Sequence, residues 1–236
     1  MDPHIDAHPN LLHTFNGQPY VDFLRWFNEG IYVNNTHFLT GSPKITWNLL
    51  PEAITQPTIT PRVAILHTQA GSTKATNESV RAYMNRPGVV VEPHIVGPEM
   101  FGGAMLQVMP FNIRADTSFK ANRYQIAGSN DYYGAISMET QDNGGATVDI
   151  TPWTFDQILS ISQTLTAVCA TYGIWCTVPA TWYDSGIAQH NLFPEWSVNA
   201  HSCPGAARTR QMDYIRSDVA NRLVHYYNSV GLKCPS

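Results

Sequence analysis

A chain of 236 residues, 43% hydrophobic and only 14% charged, is long enough to bury one substantial core or two small ones. A formal charge of −4, a pI near 6.1 and the lack of any Lys/Arg run argue against a nucleic-acid partner. No basic region followed by an apolar run opens the chain, and no apolar stretch approaches the ~20 residues that span a bilayer, so neither a signal peptide nor membrane insertion is expected.

Residues 1–60 carry the weakest pattern. Val21–Phe27 has apolar residues three and four apart and reads as a short helix, and Lys44–Leu49 reads as a strand. Pro51, Pro57 and Pro61 then mark an extended connector. Too small to bury a core of its own, this segment is expected to be an arm packed on a main domain spanning 61–236.

Arg62–Thr68 is a β-branched apolar run of the buried-strand type, ending at His67 before a Gln-Ala-Gly-Ser turn. A helix capped by Thr76 or Asn77 is predicted to follow, ending before Pro87, and three strands after it: Val89–Val96, Ala104–Met109 and Gly134–Glu139. Thr151, with Pro152 at the first helical position, opens a predicted helix that ends near Gly173. A last amphipathic helix is predicted over Ala206–Asn228, with Met212, Ile215, Val219, Leu223 and Tyr226 on one face. Strands mixed with helices predict an α/β (α+β) layered fold, a central mixed β-sheet flanked by helices.

The densest chemistry lies at Gln189-His190-Asn191 and His201-Ser202-Cys203-Pro204-Gly205. Imidazole and thiolate are the ligands that Zn²⁺ prefers. His190 or His201 with Cys203 makes two ligands, and His67, closing its strand, is the candidate third. Three protein ligands leave a position open for water, the catalytic pattern, whereas structural zinc is usually closed by four. Zinc brings the pKa of such a water to about 7, and amide hydrolysis then needs a base for its second proton. Cys169, Cys176 and Cys234 complete the cysteines; Cys169 and Cys176 are close enough in sequence to pair, and both states stay open.

His67-Thr68 after an apolar strand, Gly134-Ala135-Ile136-Ser137-Met138-Glu139, His190 and the Cys203-Pro204-Gly205 corner occur in one order. In that order the chain resembles the zinc-dependent N-acetylmuramoyl-L-alanine amidases of the type 2, peptidoglycan-recognition-protein family, most nearly the amidase domains of (actino)bacteriophage endolysins, over roughly residues 60–228. The resemblance implies a peptidoglycan-recognition-like amidase fold and one catalytic Zn²⁺ held by His67, His190 and Cys203. It implies Glu139 as the group acting on water, and His201, where the family often has Lys, as proton donor or oxyanion stabiliser. It places His94 in a strand near the cleft, and Asp116 and Asn122 in a loop beside the substrate groove. Trp196, flanking His190 with Trp182, Tyr183 and Phe193, is a candidate wall for sugar or peptide. The implied substrate is the amide between N-acetylmuramic acid and L-alanine in bacterial peptidoglycan, cut by a monomer made in the bacterial cytoplasm and released by a holin. A non-catalytic peptidoglycan-binding protein and a zinc peptidase cutting within the stem peptide are the alternatives.

Overall fold

The computed structural model describes residues 31–69, 71, 75–89, 91–118, 122, 132–142, 150–197 and 202–229. The helix expected at Val21–Phe27 and the candidate His201 lie outside these residues.

A six-stranded mixed sheet forms the centre, in the order β3-β6-β5-β7-β4-β8. Its strands are β3 (Ile45–Trp47), β4 (Ile59–Gln69), β5 (Ile95–Val96), β6 (Met105–Gln107), β7 (Tyr132–Gln141) and β8 (Gly186–Gln189). The strands β5, β7, β4 and β8 run parallel, β6 runs antiparallel to β5, and β3 runs parallel to β6. A two-stranded ribbon, β1 (Tyr32–Val33) with β2 (Leu39–Thr40), packs beside it. Residues 31–60 are joined to the body in two ways. Ile31, Val33 and Leu39 enter the main core, and β3 pairs at the sheet edge.

The long strand β4 shows why the sheet has two different faces. Side chains alternate along a strand. Ala64 and Leu66, with Ile136, Met138 and Ile187, point into the larger core, where they meet Ile161, Leu165 and Val168 of α2 (Phe155–Tyr172) and Ile215, Val219 and Leu223 of α4 (Met212–Ser229). Val63 and Ile65, with Ala135 and Ala188, point the other way, into a smaller cluster around Trp196. Burial on both faces is why the strand reads as a continuous apolar run.

Several boundaries differ from expectation, each for a local reason. The long helix begins at Phe155 with Thr154 as its cap rather than Thr151: Thr154 accepts from the Gln157 N–H, and the Gln157 side chain accepts from the Thr154 N–H. Its end at Gly173, in the left-handed conformation, is as expected. The strand expected over Val89–Val96 shrinks to Ile95–Val96; Pro93 has no N–H to give to a ladder. The one expected over Ala104–Met109 shrinks to Met105–Gln107. The single helix expected over Ala206–Asn228 is two, α3 (Ala206–Thr209) and α4. Between them the Gln211 N–H bonds the Arg208 carbonyl, three residues back, while the Gln211 amide grips both backbone groups of Trp153. The helix after β4, α1 (Asn77–Met84), is capped by Thr76 as expected.

Candidate metal centre

The parallel strands β4, β7 and β8 end together, and the chemistry gathers at their carboxyl ends, where open α/β sheets place their sites. The register sets His67 of β4 directly opposite Glu139 of β7. Leu66 pairs with Gln189, so His190 emerges from β8 level with His67. By alternation His67 and Glu139 share the face away from α2 and α4. The two imidazole rings lie 4.1 Å apart by centroid, and His67 Nδ1 lies 3.5 Å from Glu139 Oε1.

Cys203 reaches the same point from the other end of the chain. Its Sγ accepts from the Thr68 N–H at 3.1 Å, its carbonyl accepts from the Asn191 N–H at 2.9 Å, and the Asn191 side chain donates to Ser202 O at 3.2 Å. The two halves of the motif are therefore stitched to each other and to β4. Gly205, at φ 100, makes the turn from this corner into α3, a conformation that an L side chain rarely adopts. One ligand atom from each of His67, His190 and Cys203 lies within 4.8 Å of the others, and both histidines are buried.

One polar contact to the Nε2 of each ring turns its other nitrogen toward the cluster. His190 Nε2 donates to Trp196 O at 2.8 Å, and His67 Nε2 lies 3.3 Å from Ser118 Oγ, itself 3.1 Å from Ser137 Oγ. With Nε2 of each ring in these contacts, Nδ1 is the nitrogen each ring could offer to a metal, the arrangement by which outer hydrogen bonds orient metal-binding histidines. Donor type, proximity and burial thus fit a Zn²⁺ site. Burial pushes the Glu139 carboxyl up to about 8. Burial and the Glu139 charge push the Cys203 thiol up, while the Thr68 amide and the Arg208 guanidinium pull it down.

The other candidates fall elsewhere. His94 is fully buried: its Nδ1 accepts from the Ser137 N–H at 3.1 Å and its Nε2 donates to Ile113 O at 2.9 Å. Asn122, equally buried, ties the loop to β7 through Ala115 O, Ala135 O and the Ala135 N–H. Trp196 is an interior residue whose Nε1 donates to Trp182 O and whose carbonyl orients His190. The Asp116 carboxylate takes Gln56 Nε2 at 3.3 Å and stands 3.7 Å from Arg114 Nε. The structure therefore joins His67, Glu139, His190 and Cys203 and keeps the side chains of His94, Asn122 and Trp196 inside the protein. Cys169 and Cys176 are free thiols, with a hydrogen bond between them. Sequence reasoning missed Ser118, Thr68 and Arg208; each acts through a partner distant in the chain, which no local pattern marks.

No protein-family model and no curated protein matches this chain. Solved structures do. The Staphylococcus aureus hydrolase AmiA, in complex with its ligand, is 12% identical over 84% of this chain and 90% of its own, with a TM-score of 0.53. The catalytic domain of XlyA is 14% identical over 74% of this chain and 98% of its own, with a TM-score of 0.51. A mutant endolysin from Bacillus subtilis is 14% identical over 74% and 97%, with a TM-score of 0.50. The chain has the fold of these proteins, a mixed sheet flanked by helices as expected.

Proposed function

We propose that the chain is a zinc-dependent peptidoglycan hydrolase, an N-acetylmuramoyl-L-alanine amidase that acts as a phage endolysin. The observation that carries the reading is the convergence of His67, His190 and Cys203 within 4.8 Å, with the Glu139 carboxyl 3.5 Å from His67 Nδ1. Three ligands of this type would hold one Zn²⁺ with a position open to water. Such an ion, when bound, supplies a Lewis acid and lowers the pKa of a water to about 7.

The residues supply the rest. Glu139 Oε1 takes a proton from the attacking water and returns it to the departing alanine nitrogen as the C–N bond breaks, the two-way transfer that a carboxylate in reach of both groups can make. The Ser118 and Trp196 contacts hold the two imidazoles in one tautomer and orientation. We assign His201 to the substrate side, as proton donor or oxyanion stabiliser. The substrate class is supported by the family resemblance of the motif order and by the fold shared with a hydrolase and an endolysin. In this reading the protein works as a monomer on the host wall, reached through a holin.

The test is metal analysis of the purified chain together with digestion of purified peptidoglycan, native against Cys203→Ser. The expected native result is about one zinc per chain and release of intact stem peptides with free lactyl-muramic ends, identified by mass spectrometry; Cys203→Ser loses both. Cleavage between amino acids would make the protein a peptidase. Tight muropeptide binding without products would make it a recognition protein.

A further inference from the structure

Behind the ligand cluster, on the helix-covered face of the sheet, sits a cation that the chemistry above does not use. Arg208 is fully buried. Its Nη1 donates to Thr68 Oγ1 at 2.6 Å and to Thr140 Oγ1 at 3.1 Å, Nη2 to Gln141 O at 2.8 Å, and Nε to Thr151 O at 3.1 Å. The guanidinium carbon lies 5.7 Å from the centroid of the Trp153 ring. Burial lowers its pKa to about 10, which still leaves it charged at neutral pH, and the acidic groups acting on that charge are Asp142 and Cys203. A buried charge is costly, and an anchor for a helix start does not require one.

The direction of the hydrogen bonds shows where this charge is felt. Arginine only donates, so a hydroxyl that accepts from it must point its own proton elsewhere. Thr68 Oγ1 donates to Pro204 O at 3.0 Å, and Thr140 Oγ1 donates to His67 O at 2.6 Å. Thr140 also accepts from Trp153 Nε1 at 2.9 Å, which leaves its proton no other direction. The two carbonyls thus held belong to His67 and to the residue bonded to Cys203. Thr68 itself presents its N–H to Cys203 Sγ at 3.1 Å. One guanidinium therefore reaches both ends of the ligand set, from β4 and from the Cys-Pro corner, through two threonine hydroxyls.

We propose that Arg208 is a positioning residue of the metal centre, acting through Thr68 and Thr140 to set the Cys203 corner against His67. The inference rests on the functional reading above only in taking His67 and Cys203 as ligands. It predicts that breaking the relay loosens metal binding even where the fold survives.

The full chain is tested with Zn²⁺ and Co²⁺ as probes. Thr68→Val keeps the shape and removes the hydroxyl; Thr68→Ser keeps the hydroxyl; Arg208→Lys keeps the charge but not the fork. In Thr68→Val and Arg208→Lys, zinc affinity measured against a competing chelator falls about 10- to 100-fold. The thiolate-to-cobalt charge-transfer band weakens or shifts in both, and Thr68→Ser restores the affinity and the band. Native affinity and a native cobalt spectrum in both Thr68→Val and Arg208→Lys overturn the proposal, whatever their melting temperatures. If Arg208→Lys does not fold, the Thr68 pair decides alone. A native chain that binds cobalt through a thiolate yet releases no stem peptide removes the amidase reading and leaves this one standing. An active native chain with Thr68→Val and Arg208→Lys both indistinguishable from it in affinity and cobalt spectrum removes this one alone, and a native chain without the thiolate band removes both.

Discussion

Among the described residues the sheet carries two buried groupings of histidine with carboxylates, and they have opposite characters. At the ends of β4, β7 and β8, His67 and His190 each commit Nε2 to the protein, and His67 Nδ1 faces the Glu139 carboxylate. Just before β5, His94 gives Nδ1 to one backbone N–H and Nε2 to one backbone carbonyl, while Glu92 lies among Glu52, Asp116 and Arg114. Burial does not separate them: His67, His94, Glu92 and Glu139 are all in the interior. What separates them is where the second ring nitrogen points. A ring consumed by backbone groups is part of the scaffold, whereas two rings gathered with a thiol make a candidate ligand set. Burial lowers the His94 pKa to about 4, against the opposing pull of the Ile113 carbonyl, so the ring is neutral at neutral pH.

The contrast is broken most severely at Glu139. Glu139→Gln is isosteric and leaves His67, His190 and Cys203 untouched, so zinc stays bound while kcat falls by about 10²–10⁴-fold, the usual contribution of a general base. Zinc content and turnover measured on one sample decide it; a variant of unchanged kcat would show that Glu139 is a neighbour of His67 and nothing more. At His94 the losses should be reversed. His94→Leu orphans the Ser137 N–H and the Ile113 carbonyl at a cost of about 1–3 kcal/mol each, read from denaturant midpoints, while the molecules that remain folded keep native zinc and turnover. Loss of zinc from folded His94→Leu would mean that the two regions are one. Ser118→Ala removes the hydroxyl beside His67 Nε2 and should weaken zinc binding about 10-fold with little change in melting temperature.

The three candidate ligands are legible in the sequence because each carries a local signal: His67 closes an apolar run, His190 precedes a turn, and Cys203 is followed by Pro-Gly. Glu139 is legible as a strand end, but its position opposite His67 depends on the β4–β7 register, which no local pattern states. The interior fates of His94, Asn122 and Trp196 are likewise decided by backbone groups 7 to 43 residues away. Arg208 is the extreme case, bonded to a hydroxyl 140 residues distant. The cap of α2 was within reach, since Thr154 and Gln157 have the spacing of a capping box; the proline after Thr151 pointed to the wrong threonine.

The smallest effect, and the one that tests the scaffold region on its own terms, comes from Glu92. Burial, then the charges of Glu52 and Asp116, push its carboxyl up to about 7, against the opposing pull of Arg114 and Gln56. In the unfolded chain the same group titrates near 4.3. Between about pH 4.3 and 7 the folded protein therefore holds the extra proton, and stability falls as pH rises through that window, with the full penalty present above pH 7. Glu92→Gln removes the titration, so it should gain on the native protein by a growing margin from pH 4.5 to pH 8, a few degrees at most in melting temperature at the upper end. The sign is what matters. Were Arg114 to hold Glu92 ionised as a buried pair, the variant would lose stability at pH 8 and the two curves would converge in acid. The Glu92 region would then be a charge-paired scaffold, no longer a neutral one like the ring of His94.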